Sequence, residues 1–135
     1  MMEPNEISIK GYIDRFEPWL VRQGLTQKTI RRHINNIWVF LDYLSKNFDI
    51  TYEEELVITD EVLTNAERAL DGFFGYDMRH KLFATKDGVR QYASSIRKFY
   101  KWLAVEGIVS DDIKDDILSY VKSELPFWSE MVEGE

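Results

Sequence analysis

The sequence predicts an all-α fold, a compact bundle of four to five helices. Three observations predict it. Two stretches, LTQKTIRRHINNIWVFLDYL (Leu25 to Leu44) and YASSIRKFYKWLAVEGIV (Tyr92 to Val109), carry apolar residues at three- and four-residue steps. No run alternates apolar and polar residues with the weight of a strand. Gly24 and Gly107 punctuate the periodic stretches where helices end.

The first helix is expected from about Glu6 to Gly24. Its buried positions are Ile9, Tyr12, Ile13, Phe16, Trp19 and Leu20, with Pro18 marking a kink or a restart. The second starts at Thr26, a good N-cap. Ile30, Ile34, Ile37, Leu41, Leu44 and Phe48 form its apolar line, with Lys28, Arg31, Arg32 and Lys46 roughly opposite. Residues 49–58 make an acidic, partly extended connection. Thr59 then caps a third helix, with Asp60 and Glu61 in its first turn and Val62, Ala66, Ala69, Leu70 and Phe73 facing inward. Gly72 and Gly75 weaken its end, and Tyr76 to Ala84 reads as a short helix or an irregular bridge.

The fourth helix runs from Thr85 or Asp87 to Glu106. Val89, Tyr92, Ile96, Phe99 and Leu103 form its buried stripe, and Lys86, Arg90, Arg97 and Lys101 lie about 80–140° away on one flank, with Ser94 beside them. Ser110 caps a fifth helix whose first turn holds Asp111 and Asp112. Ile113, Ile117, Val121 and Leu125 face inward until Pro126 breaks the run. Phe127 and Trp128 then dock on the core in a last short turn.

The 135 residues fit one domain, 1–135. The four Trp, seven Tyr and eight Phe help a chain of this size close its core. No apolar run is long enough to span a membrane, and the N-terminus lacks a signal pattern, so a cytoplasmic location is the default. The absence of cysteine excludes disulfides and thiolate metal sites. The net charge of −7 is arranged in blocks: −1 over 1–25, +3 over 26–48, −8 over 49–78, +6 over 79–104 and −7 over 105–135. Overall acidity disfavours non-specific binding to phosphates, yet local basic patches bind when the acidic blocks lie on another face.

Enzymatic chemistry finds no footing. His33 and His80 are far apart and outside metal-ligand spacings, no glycine-rich phosphate loop is present, and no serine sits in a nucleophile elbow. Glu53, Glu54 and Glu55 lack the spacing and sharp turn of a calcium loop. Asp111–Asp112 and Asp115–Asp116 read as helix-terminus charge and solvated face. No cofactor and no metal are expected.

Two motifs resemble the core-binding (SAM-like) domain at the front of tyrosine recombinases and phage integrases. The first is Gly24-Leu25-Thr26, then Lys28-Thr29-Ile30, closing on Phe40-Leu41-Asp42-Tyr43-Leu44. The second is Ser94-Ser95-Ile96-Arg97-Lys98-Phe99-Tyr100-Lys101-Trp102-Leu103 before a glycine turn. The likeness covers about residues 7–109 and leaves an extra acidic helix over about 110–133. Phe73-Phe74-Gly75-Tyr76 and Met78-Arg79-His80-Lys81 also resemble a group of bacterial and archaeal stand-alone proteins with this integrase-like domain, sometimes joined to a cysteine-rich metal-binding motif. The catalytic domain that follows in recombinases is expected to be absent, and no tyrosine of these residues can be assigned the nucleophile role.

The resemblance implies a non-catalytic module that binds double-stranded DNA weakly through the basic faces of helices two and four. The phosphate-holding residues would be Lys28, Arg31, Arg32, Lys86, Arg90, Arg97 and Lys101. Asn35 and Gln91 are candidate base readers. The alternative is a protein–protein interaction or self-association module without nucleic acid, anchored by Trp38, Tyr100 or Trp102 where these are exposed; the competing reading places them in the core, Trp102 more readily than Trp38.

Overall fold

Each of the long helices begins where a hydroxyl side chain can satisfy the free amides of a first turn. The computed structural model describes residues 6–47, 51–52, 55–82 and 84–133. It divides into two compact units, Met1–Thr64 and Asn65–Glu135.

In the first unit, strand β1 (Glu6–Ser8) leads into α1 (Ile9–Arg22). Ser8 ends the strand and caps the helix, its Oγ accepting from the Gly11 amide at 3.0 Å. Tyr12, Phe16 and Leu20 are fully buried along α1. Gly24, at φ +79°, turns the chain into α2 (Gln27–Asn47), where Thr26 Oγ1 accepts from the Thr29 amide at 3.2 Å. Ile37, Phe40, Leu41 and Leu44 are fully buried on α2, which packs on α1. Strands β2 (Thr51–Tyr52) and β3 (Glu55–Thr59) follow, then α3 (Asp60–Thr64). The strands form an antiparallel sheet in the order β1-β3-β2, with Ile7 opposite Ile58 and Thr51 opposite Leu56.

In the second unit, α4 (Glu67–Gly72), a π-helical turn (Phe73–Asp77) and α5 (Met78–His80) follow one another without a break. Phe73 and Phe74 are fully buried and meet edge to face at 5.3 Å. Helix α6 (Lys86–Val105) is capped by Thr85, whose Oγ1 accepts from the Gly88 amide at 3.1 Å. Gly107, at φ +75°, reverses the chain, and Ser110 caps α7 (Asp111–Glu133) through the Ile113 amide at 3.2 Å. A short turn and extensive packing of α6 on α7 make an αα-hairpin. Val89, Ala93, Ile96, Phe99 and Leu103 are fully buried on α6; Ile117, Val121 and Trp128 are buried on α7.

The helical class holds, and several expectations about elements are corrected. The small sheet was not expected. The run Val57-Ile58-Thr59 is β-branched, which favours a pleated strand over a plain connection. The first helix starts at Ile9, not Glu6, and runs through Pro18 without restarting. The third helix is two short ones, α3 and α4, separated at Asn65 and Ala66. Pro126 lies inside α7 and does not end it. In both long helices the proline is solvent-exposed, so water can bond the carbonyl it leaves without a donor. Trp128 docks as expected and stacks on Phe74 at 4.3 Å, whereas Phe127 is 59 % exposed on the other side of the helix. Phe48, Glu53 and Glu54 lie outside the described residues.

Candidate functional site

The basic residues singled out from the sequence divide between the two units. Lys28 and Arg31 are exposed on the first turns of α2, with Asn35 exposed on the next turn. Arg32 is only half-exposed, and its Nε is buried without a hydrogen-bond partner.

On α6, a rotation of about 100° per residue puts Lys86, Arg90, Arg97 and Lys101 within a sector of about 60°. The common spacing follows from steps of four, seven and four residues, so the stripe is a local consequence of sequence. Its members are not equivalent. Lys86 is half-buried, and Arg90 faces Asp87 one turn earlier at 3.7 Å. That exposed pair binds weakly and leaves the guanidinium available. Gln91 is exposed beside it.

Arg97 and Lys101 enter a groove of about 260 Å³ between α6 and α7. The wall on α6 is Ser94, Arg97, Lys98 and Lys101, and the wall on α7 is Leu118 and Lys122. Four cations therefore line one depression, with no acid among the lining residues. Among the described residues no carboxylate lies within 4 Å of any of the four. Like charges gathered in one depression repel, weakly in water and more strongly in a surface medium of intermediate dielectric. An anion seated among them would reverse the sign of that interaction. Leu118 gives the floor an apolar contact, and the Ser94 hydroxyl has no partner among the described residues.

Lys98 and Lys122 were not singled out from the sequence. Lys98 is adjacent to Arg97, and its place in the groove was within reach of a helical wheel. Lys122 carried no such signal, because it sits in a segment whose net charge is −7. The other lysine of α7, Lys114, two turns earlier, is held by Asp111 at 3.7 Å and Asp115 at 3.3 Å.

The opposite side of α7 is acidic. Tyr120 donates its hydroxyl to the Asp71 carboxylate of α4. Burial together with Asp71, Glu124 and Glu67 pushes the Tyr120 hydroxyl above its ordinary pKa. Helix α7 thus separates a basic groove from a carboxylate-rich side.

Neither histidine gathers a site. His33 is buried on α2, and His80 is exposed with its ring 4.5 Å from that of Tyr76. Among the described residues no three of His, Cys, Asp and Glu stand close enough to hold a metal ion. Tyr100 and Trp102 lie in the core, so they are not anchors, and Trp38 is 39 % exposed, in line with the expected order of Trp102 inside and Trp38 outside. No described helix is long and apolar enough to cross a membrane. The chain matches no family model, no curated protein and no solved structure.

Proposed function

We propose that this protein is a non-catalytic helical module of the recombinase core-binding (SAM-like) type that binds duplex DNA by its phosphate backbone. The carrying observation is the groove in which Arg97, Lys98, Lys101 and Lys122 face one another without a carboxylate partner. Phosphate is the ligand whose charge and geometry suit such a set. The arginine grips two oxygens in parallel, and the lysines act as mobile point charges. Arg90 and Lys86 extend the contact along the α6 flank, and Lys28, Arg31 and Arg32 supply a separate contact on α2. These contacts carry no base readout, so the expected binding is weak in sequence preference.

The test is fluorescence anisotropy of a labelled duplex titrated from about 20 to 200 mM salt. Each neutralised phosphate contributes about −0.9 to the log–log slope, so contacts to four phosphates, shared among the groove, the rest of the α6 flank and α2, give a slope near −3.6. The Arg90→Glu, Arg97→Glu double variant should lose at least about tenfold in affinity at low salt and flatten the slope by about two. Absence of binding by the wild-type protein at the lowest salt would sink this reading. The exposed Trp38 and Phe127 favour a second reading, a protein-contact module without nucleic acid.

A further inference from the structure

The α6–α7 hairpin adds something that the α6 stripe alone does not contain. Helix α7 belongs to the acidic C-terminal segment, beyond the part of the chain that carries the recombinase likeness. Yet it turns one cation, Lys122, toward the stripe on α6. The placement is held from several directions. Val121 beside Lys122 is fully buried, Trp128 is stacked on Phe74, and Tyr120 is bonded to Asp71. Lys122 is therefore carried on a fastened helix, while its ammonium stays exposed and unpaired among the described residues. Lys114, two turns earlier, is occupied by two aspartates.

We infer that this groove is a seat for one backbone phosphate of the bound strand, with α7 as its second wall. The inference rests on the DNA reading above and assigns the seat to Arg97, Lys98, Lys101, Lys122 and the Ser94 hydroxyl. Arg97 holds two of the phosphate oxygens. The three lysines neutralise the charge from both helices, and the serine hydroxyl donates to a remaining oxygen. Leu118 lies where the sugar attached to that phosphate would pass. The acidic C-terminal helix is then a part of the DNA surface, through its single basic side.

The experiment compares Lys98→Gln, Lys122→Gln and Lys114→Gln in the full chain. Duplex DNA is the probe, with inorganic phosphate and vesicles containing phosphatidylserine as separate arms. Expected is a several-fold loss of duplex affinity for Lys98→Gln and for Lys122→Gln, uniform over duplex sequences, with the salt slope smaller by less than one unit because they share one phosphate, and no change for Lys114→Gln. In amide NMR spectra, millimolar phosphate should shift residues 94–101 and 118–122 together, and the shifts should shrink in Lys122→Gln. If the wild-type protein binds duplex but Lys98→Gln and Lys122→Gln keep its affinity, the seat is wrong and the DNA reading stands. If the wild-type protein binds no duplex, or only the vesicles, both fall.

Discussion

Phe127 and Trp128 are adjacent in sequence and opposite in environment. Trp128 is 2 % exposed and stacked on Phe74, while Phe127 projects into solvent. Trp128→Ala removes a large buried ring and leaves a cavity, so it should cost about 3–5 kcal/mol in urea unfolding. Phe127→Ala should change stability by no more than about 0.5 kcal/mol. Equal effects of the two would refute the observed rotation of α7. The periodicity of Ile113, Ile117, Val121 and Leu125 pointed to a buried face, and Ile117 and Val121 are buried while Ile113 and Leu125 are half-buried. It was the expectation that Pro126 stops the helix that put Phe127 on the wrong side. Proline removes one amide donor, but packing of Trp128 and Val121 outweighs that loss.

At the scale of elements, caps were the most legible feature. Thr26, Thr85 and Ser110 each bond an amide of the first turn, as their positions before periodic runs imply. Thr85→Ala should lower stability by about 1 kcal/mol. Gly107 is constrained by conformation and not by space, since a Cβ there would meet no atom within 4 Å. Its φ of +75° makes Gly107→Ala cost about 1 kcal/mol, measured by thermal unfolding. A cost near zero would mean that the α6–α7 turn relaxes without loss. The small sheet was harder to read, because two- and three-residue strands are too short for alternation to register. The division of the expected third helix at Asn65 and Ala66 was hidden for a related reason: the apolar spacing continues across it.

At the scale of the whole molecule, charge bears on the proposed DNA binding and on stability. With a net charge of −7, the chain should repel DNA at long range, and under the proposed reading only its basic blocks would attract it. Screening reaches about 10 Å at 0.1 M salt, so binding should vanish over a narrow range of ionic strength. Stability should also depend on alkaline pH. Tyr120 is raised by burial and by Asp71, and Tyr92 is raised by burial. Both sites favour the neutral phenol, so their contribution is fully present below the ordinary tyrosine pKa of about 10 and is lost as pH rises above it. Tyr120→Phe should therefore flatten the loss of stability above about pH 10 without abolishing it, because Tyr92 remains. An unchanged alkaline profile would argue against the Tyr120–Asp71 bond in solution.

Helix periods, caps and the α6 stripe could be read directly from residue order. They arise from interactions within a few positions along the chain, where spacing and geometry are tied by the helix itself. The groove could not. Lys122 reaches Arg97 and Lys101 only because the turn at Gly107 folds α7 back along α6, and the buried side of α7 sets its rotation. The same is true of Tyr120 and Asp71, which are 49 residues apart in the chain. Side chains separated by such distances are brought together by packing, and packing depends on how whole apolar faces fit against one another.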